Sequence, residues 1–225
     1  MRDVRIRFSK TGKAKYISHL DMMRCFARAF IRAGIPLWFT EGFNPRPYMN
    51  FTMPLTLGAE SIAEAVDIRL EDESVTDDEV AARLGAVMPP DIRILKAAPP
   101  VQKMNAIRES RYRFTIEPGS RSGEALADAF REVSEQEHLL VEKSGKKGKR
   151  KVMKTIDLAE YLKEFSAGTD EDGNTVLLVT LPSSPQFGIN PRLFLDKFLS
   201  EAGEEPVRVR ILREGLYCDD NVLFE

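Results

Sequence analysis

Apolar and polar side chains alternate with a period of two over several short stretches of the chain, which predicts half-buried strands. Val4, Ile6 and Phe8 share one face of the first stretch. Because this period is the signature of a strand with one buried face, these residues are expected to point into a core. Later strands of the N-terminal half are predicted at Leu37–Phe39, at Ala65–Leu70 and in the segment DIRILKA.

Apolar spacings of three and four residues predict two helices among these strands. The first begins after Ser18, because S-H-L-D has the spacing of a capping box with Asp21 as its acidic partner, and it ends at Gly34. Thr76 is expected to cap the second helix. The buried stripe of the first helix is predicted to be Met23, Phe26, Phe30 and Ala33.

The resulting order, β-α-β-β-α-β, is typical of a ferredoxin-like unit, and a similar order restarts after the prolines at 99 and 100. We therefore predict an α+β protein of two tandem ferredoxin-like domains with antiparallel sheets, the second one elaborated. The expected parts are a domain at 1–98 with a proline-rich insertion at 40–58, a linker at 99–109, a domain at 110–217 with a basic loop at 143–154, and a tail at 218–225.

Charge is distributed unevenly along the chain, although the net charge is only −2. The first fifty residues are strongly basic, and the next fifty are acidic. Such segregation can create a basic face on a nearly neutral molecule, which suits a polyanionic partner such as RNA. Three arginines also share one side of the first helix and are expected to face water or a ligand: Arg24, Arg28 and Arg32.

The turn SKTGKAKY carries three lysines and an aromatic ring close to the start of the first helix. It lacks the first glycine and the hydroxyl residue of a nucleotide-binding P-loop, so nucleotide binding of that kind is not expected. The lysines of this turn could still contact phosphate. The ring at position 16 either stacks on a ligand or packs the corner between strand and helix. The candidate residues are Lys10, Lys13, Lys15 and Tyr16.

His19 is the only histidine next to this basic segment, and it lies at a helix start where the dipole favours a neutral imidazole. It is a candidate for acid–base chemistry, although an ordinary role in local hydrogen bonding explains it equally simply, because no second catalytic group is identified by the sequence. Ser18 and Asp21 are interpreted as structural capping residues.

The segment TEGFNPRPYMNFTMPLTLG has neither helical nor strand periodicity. Pro45 and Pro47 restrict the backbone around Arg46, which lowers the entropy lost when its guanidinium binds a partner. A rigid structural clasp explains the same prolines. The segment is predicted to combine structural residues, Gly42, Pro45 and Pro47, with residues that contact RNA or a partner: Phe43, Asn44, Arg46 and Tyr48.

Seven basic residues and no acid occur between Lys143 and Lys154, which favours contact with phosphate or, alternatively, a solvated hairpin tip. The candidate RNA contacts here are Lys146, Lys147, Lys149, Arg150 and Lys151.

Several classes of protein are not expected from this composition. Cys25 and Cys218 lack CxxC spacing, and only His19 and His138 could add imidazole ligands, so neither a metal site nor an iron–sulfur cluster is predicted. No apolar run approaches the length of a membrane span, and the first residues lack the apolar core of a signal peptide. We expect a cytoplasmic protein.

Three segments, FSKTGKAKYISHLD, RAFIRAGIPL and EGFNPRPYMNFTMPLTLGAES, together resemble the radical SAM-linked protein family, whose own activity is unassigned. The segment KTIDLAEYL is similar to a further element of that family. The residues that match its signature are Ser18, His19, Asp21, Gly42, Asn44, Pro45, Arg46 and Pro47.

The resemblance implies a working partnership, because members of that family are fused to, or encoded beside, a radical SAM and cobalamin-binding protein. Any iron–sulfur cluster, SAM or cobalamin is then expected on the partner, and this chain lacks the C-x-x-x-C-x-x-C motif. No cofactor is expected on the chain itself.

These observations favour a non-catalytic subunit that binds RNA or presents a substrate to a radical SAM enzyme. Two alternatives remain open. One is a metal-independent endoribonuclease that uses His19, since the tandem layout also resembles CRISPR repeat-processing enzymes. The other is a protein-only scaffold for the radical SAM partner.

Overall fold

The computed structural model describes residues 1–147, 150–162 and 164–225. The chain divides into two compact units, of which the first joins Met1–Arg108 with Arg213–Glu225 and the second is Glu109–Leu212. The first unit therefore includes the expected linker at 99–109 except Glu109, the expected tail, and part of the last strand. Over these described residues, four α-helices and mostly antiparallel strands make this an α+β fold.

The first unit contains two helices and four complete strands. The strands are β1 (Arg2–Lys10), β2 (Met49–Phe51), β3 (Glu60–Leu70) and β4 (Ile92–Ala98), and the helices are α1 (His19–Arg32) and α2 (Asp77–Val87). A strand shared between the units, β10 (Arg208–Tyr217), supplies residues from Arg213 onwards to this unit. The strands follow the order β4-β1-β3, and β2 and β10 both pair with β3.

The second strand of this unit lies inside the proline-rich segment at 40–58 and not before it. Met49–Phe51 pairs antiparallel with Val66–Ile68. Leu37 and Phe39, where a strand was predicted, make only isolated bridges to Leu70 and Pro47. The prediction at 37–39 was wrong because the main-chain pairing there is interrupted after single residues, while MNF continues for three.

The predicted cap of α1 is confirmed for Ser18, whereas the Asp21 carboxylate accepts from the Ser18 hydroxyl and not from its backbone N–H, so the capping box is incomplete. The Asp21 backbone N–H donates to Ser18 Oγ at 3.1 Å, and Gly34 after the helix has a φ of 61°, which glycine adopts without strain. The buried side chains differ from the predicted stripe, since Met22 and Ala29 are buried and Met23 and Ala33 only half-buried. The buried face is therefore rotated slightly from the one that we predicted.

The core of the first unit lies between α1, α2 and one face of the sheet. Val4, Ile6 and Phe8 are fully buried there, as their alternation predicts, and the Phe8 ring lies 4.7 Å from that of Phe26. Each such ring contributes on the order of 2 kcal/mol through burial. Thr76 and Glu79 form a complete capping box at the start of α2.

Within its described residues, the second unit contains two α-helices and five further strands. The strands are β5 (Glu109–Glu117), β6 (Leu140–Lys147), β7 (Arg150–Asp157), β8 (Phe165–Thr169) and β9 (Thr175–Pro182), and the helices are α3 (Gly123–Ser134) and α4 (Pro191–Ala202). The strands follow the order β10-β5-β9-β8. Its core includes stacked rings of α4, where Phe194 and Phe198 lie 4.5 Å apart.

Strands β6 and β7 form a separate antiparallel hairpin. Their register pairs Lys143 with Lys154 and Lys147 with Arg150. The segment at 143–154, which we predicted to be a loop, is thus paired strand wherever the structure describes it. The segment DLAEYLKEF contains a short 3-10 helix, Leu158–Tyr161, and the first residue of β8.

Candidate functional site

The predicted basic turn is built differently from an exposed phosphate loop, because its first lysine is buried. Lys10 is 1 % exposed, and its Nζ donates to the backbone oxygen of Ile17 at 2.9 Å. Burial lowers the pKa of this ammonium, and the nearby Glu64 carboxylate opposes that change. Lys10 therefore holds the turn from inside and does not face an external phosphate.

Backbone N–H groups of the same turn are already bound by carboxylates of the protein. The Gly12 N–H donates to Glu60 Oε1 at 3.2 Å, and the Lys13 N–H donates to Asp91 Oδ2 at 2.9 Å. Lys15 lies 3.8 Å from Glu60, and the Tyr16 ring is 67 % exposed. The side chains of Lys13 and Tyr16 remain accessible to an anion. The backbone N–H groups of Gly12 and Lys13 are not, because carboxylates of the protein already bind them.

His19 lies half-buried at the start of α1, with its ring edge-on to that of Phe51 at 5.6 Å. Burial is the main cause that lowers its pKa; Glu64 acts in the opposite direction and Lys10 lowers the pKa further. The imidazole is therefore neutral near pH 7. It makes no hydrogen bond with any described residue, so no relay partner orients it for catalysis.

Glu64 of β3, whose charge acts on His19, forms a buried ion pair with Arg213 of β10. Arg213 Nε donates to Glu64 Oε1 at 3.1 Å, and its Nη2 donates to the backbone oxygen of Met53 at 3.0 Å. Our sequence reasoning missed both residues. The only available signal was an acid, Glu64, between the apolar neighbours Ala63 and Ala65 of a strand.

The arginine row of α1 is exposed, as its spacing predicts. Arg24 pairs with Asp21 at 3.1 Å, and this contact, after the larger effect of the Ser18 hydroxyl, lowers the pKa of the Asp21 carboxyl. Arg28 Nε donates to the backbone oxygen of Arg24, and Arg32 Nη2 donates to that of Val87. All three guanidinium groups retain donors that can face a ligand.

Residues 40–46 form an exposed loop that is closed by its own backbone. The Thr40 N–H donates to the Arg46 oxygen at 2.8 Å, and the Arg46 N–H donates to Thr40 Oγ1 at 3.1 Å. Gly42 has a φ of 126°, which only glycine adopts readily. Phe43 is fully exposed, as is Asn44 to a lesser degree, and the Arg46 guanidinium contacts no described residue through a hydrogen bond or ion pair.

After this loop, Pro47 and Tyr48 return to the body of the first unit. The Tyr48 ring lies 6.0 Å from that of Trp38, and the Arg69 guanidinium lies 5.1 Å from the Tyr48 ring centre. Arg69 is held in turn by Asp3 at 2.7 Å. Tyr48 therefore anchors the base of the loop, whereas Phe43 and Arg46 are free to contact a partner.

The second unit contains an open cleft of about 740 Å³ between the β6–β7 hairpin and the turn that precedes α4. Two lysines line it, Lys143 and Lys154, which face each other directly in the hairpin register, and two acids, Asp157 and Glu160, line it as well. Lys143 Nζ donates to the backbone oxygen of Gly188 at 2.7 Å, whereas the Lys154 side chain is exposed. Like charges opposite each other repel, so an anion bound at this point would be stabilised.

Two aromatic rings stand on the same cleft. Tyr161 and Phe187 lie 5.5 Å apart with an angle of 37° between their planes. Phe187 is held by a tight turn, in which Ser184 Oγ donates to the Phe187 oxygen at 2.9 Å and accepts from its N–H at 3.1 Å. Together with the lysines, these rings provide the combination that single-stranded nucleic acid requires, namely a stacking surface beside positive charge.

Asp157 fastens the base of the hairpin beside this cleft. Its carboxylate accepts from the N–H groups of Leu139 and Ala159 at 2.8 and 3.1 Å, and His138 Nδ1 lies 2.7 Å from it. The Leu139 bond is the largest cause that lowers the pKa of Asp157, followed by the bond to His138. The segment KTIDLAEYL thus supplies Lys154, Asp157 and Tyr161, although the sequence analysis identified none of these as cleft residues.

The predicted basic contacts of the hairpin are only partly described. Lys149 lies outside the described residues. The backbone register pairs Lys146 with Lys151, and Lys147 with Arg150, near the end of the hairpin.

Metal binding and membrane crossing both have structural requirements that can be compared with residues 1–147, 150–162 and 164–225. No group of three or more His, Cys, Asp or Glu side chains there is placed to hold a metal ion. Over the same residues, no helix has both the length and the apolar character that a membrane crossing needs.

The chain was compared with known proteins as a whole. No curated protein matches it significantly. One family, described as uncharacterized proteins conserved in bacteria, matches residues 3–191. The matched range includes the basic turn, α1, the loop of residues 40–46 and the β6–β7 hairpin. The chain belongs to this family, DUF2344.

Proposed function

We propose that this protein is a non-catalytic accessory subunit that binds single-stranded RNA and presents it to a radical SAM enzyme. The observation that carries the RNA assignment is the cleft of the second unit, where Lys143 and Lys154 stand beside the Tyr161 and Phe187 rings. Bases stack on such rings, and lysines contact the phosphates between them.

The basic hairpin extends this surface along the nucleic acid backbone. If about five of its lysines and arginines contact phosphates, the logarithm of the binding constant falls with the logarithm of salt concentration with a slope near −3.5. An acidic protein that docks on the hairpin alone has no use for the aromatic pair. The cleft therefore favours RNA over an acidic protein.

The strand orders support a ferredoxin-like assignment for each unit. In the first unit, β4-β1-β3-β2 is the 4-1-3-2 order of a βαββαβ fold. In the second, β10-β5-β9-β8 has the same order, with the β6–β7 hairpin as its elaboration. RNA binding is common in folds of this kind, but this analogy supports the proposal only weakly.

The radical SAM partnership rests on the sequence resemblance and on one exposed element. The loop of residues 40–46 exposes Phe43 and Arg46, and the Arg46 guanidinium has no hydrogen bond or ion pair with any described residue. Aromatic and arginine side chains are enriched in protein interfaces. We propose that this loop contacts the radical SAM protein in the cytoplasm. The iron–sulfur cluster, SAM and any cobalamin belong to that partner.

Fluorescence anisotropy with a labelled single-stranded RNA, measured across a salt series, tests the RNA assignment. We expect Tyr161→Ala to weaken binding about tenfold without changing the salt slope, because one stacked base is lost. Lys154→Gln is expected to reduce the slope by about 0.7. Matched controls are Arg83→Gln and Lys197→Gln, which remove a cation from helices away from the cleft and should leave binding unchanged.

The result that would contradict the assignment is absence of RNA binding at low salt, or an equal loss in the controls. The ribonuclease alternative is favoured by one observation, the neutral His19 imidazole. RNA that is cleaved without metal by wild type, but not by His19→Ala, would establish it. For the partner, affinity capture of wild type and Arg46→Ala is compared: a radical SAM protein retained equally by both excludes the loop as its contact.

A further inference from the structure

A second cationic site lies in the first unit, on the sheet face opposite its helices. Arg7 of β1 and Lys96 of β4 are direct antiparallel partners. Like charges at directly opposed positions destabilise a sheet unless something of opposite charge lies between them. Neither side chain has a hydrogen bond or ion pair with any residue in the described ranges, so the protein itself leaves both charges uncompensated.

The floor of this site is a third cation whose position is fixed. Arg5 is 2 % exposed, and its guanidinium binds both carboxylate oxygens of Asp67, at 2.7 and 2.8 Å, and the backbone oxygen of Gln102. It also donates to the backbone oxygen of Glu225 and stacks on Phe224. These bonds hold the guanidinium in one orientation before any ligand binds. The loss of side-chain conformational entropy on binding is therefore smaller.

A pocket of about 60 Å³ is lined by these cations and by Pro99 and Val101. That volume accommodates roughly four water-sized groups, about as many as a phosphate has oxygens. Val101 is 75 % exposed, so the pocket is open to water on this side and a ligand can enter there. Glu225 lies on the rim and is the only acid among the lining residues.

We propose that this pocket binds a tetrahedral oxyanion of the phosphate type through Arg7 and Lys96, with Arg5 as its fixed floor. Arg7 offers a planar fork of N–H donors that matches two oxygens of a phosphate, and Lys96 supplies a point charge from the other side. The phosphate comes either from the backbone of RNA or from a small phosphorylated molecule. The site is independent of the cleft in the second unit and assigns a separate function to the first.

Titration of the full chain with inorganic phosphate, followed by ¹H–¹⁵N NMR at constant ionic strength, tests this proposal. We expect saturable shifts at the amides of Lys96 and Val101. Arg7→Gln and Lys96→Gln should each weaken phosphate binding about tenfold, since a charge-assisted hydrogen bond is lost. Glu225→Gln should strengthen binding, because it removes the negative charge from the rim.

Arg93→Gln is the matched control, because Arg93 is an exposed cation of the same strand that does not line the pocket. It should leave phosphate affinity within about twofold, as expected for a distant surface charge. Shifts that do not saturate, or an equal loss in Arg93→Gln, would overturn the proposal. The spectra also report directly whether each variant is folded.

The source of the phosphate is separated by a second titration with single-stranded RNA. If Lys96→Gln weakens RNA binding and Arg93→Gln does not, the pocket holds a backbone phosphate. If Lys96→Gln weakens only binding of inorganic phosphate, the pocket serves a small phosphorylated molecule. Tyr161→Ala leaves the phosphate shifts unchanged in either case, so failure of the cleft assignment and failure of this site are distinguishable.

Discussion

Glu64 and Arg213 form an ion pair whose side chains are only 5 % and 1 % exposed. The two residues are separated by 149 positions in the chain. When a buried charge loses its partner, its desolvation penalty is no longer offset by the attraction between the two charges. This penalty commonly exceeds the net contribution of the ion pair to stability. The pair therefore makes the fold of the first unit sensitive to either residue.

We predict that Arg213→Met lowers the free energy of unfolding by about 3 kcal/mol, because Glu64 is left buried without its guanidinium. Urea denaturation measures the change. Arg192→Met is the matched control: Arg192 pairs with Asp196 on an exposed helix face, with about half of each side chain in water, and such a pair contributes about 0.5 kcal/mol or less. Similar losses in the two variants would contradict the assigned role of burial.

The pKa of His19 is predicted to lie below its ordinary value of 6.5, as measured by NMR titration of the imidazole. Glu64→Gln should lower it further, because the carboxylate favours the charged ring. Lys10→Met should raise it, because a neighbouring cation is removed.

The direction of the pH effect on stability follows from the same pKa. Below about pH 6.5 the unfolded chain binds a proton at this site more readily than the folded protein does. His19 therefore reduces stability as the pH falls through that value and has no such effect well above it. His19→Gln should make the fall of unfolding free energy below this pH less steep; an unchanged slope would show that the ring titrates as it does in the unfolded chain.

Gly123→Ala is predicted to destabilise the second unit by about 1–3 kcal/mol, as overpacking does. A Cβ at this position would lie 2.0 Å from the backbone oxygen of Gly173, and a backbone atom cannot move aside as a flexible side chain can. Gly168→Ala is the control, because nothing lies within 4 Å of its Cβ position. Thermal unfolding of the two variants is compared. A loss of stability in Gly123→Ala alone would show that the backbone clash is the cause, whereas an equal loss in both would indicate a general effect of the added methyl group.

Phe43→Ser should leave the free energy of unfolding within about 0.5 kcal/mol of wild type, since a fully exposed ring loses no buried area. Phe26→Ser, at a fully buried ring in the same unit, should cost about 3–5 kcal/mol. Urea denaturation compares them. A large loss from Phe43→Ser would mean that the ring packs inside the protein, and it could then no longer be assigned to partner binding.

Local signals in the sequence predicted the elements whose causes are local. The caps at Ser18 and Thr76 and the alternation in β1 each depend on neighbouring residues, and the structure confirms all three. β2 was missed because Met49–Phe51 is short and becomes a strand only through pairing with β3, a distant segment. Its own side chains carry no periodic pattern.

The candidate sites were less accessible to sequence reasoning. Lys10 reads as one of several surface lysines, and its burial depends on how the turn closes over it. Tyr161 and Phe187 are separated by a whole hairpin of β8 and β9, so no spacing rule brings them together. Arg7 and Lys96 meet only through the strand register, which an unaligned sequence does not determine.

The shared strand β10 has a consequence for the order in which the molecule can be completed. The first unit requires Arg213–Glu225, and all of Glu109–Leu212 precedes these residues in the chain. During synthesis from the N-terminus, the ribosome has therefore made every residue of the second unit before the first can close. Until then Glu64 lacks Arg213 as its partner, and the nascent first unit depends on residues that are translated after the whole second unit.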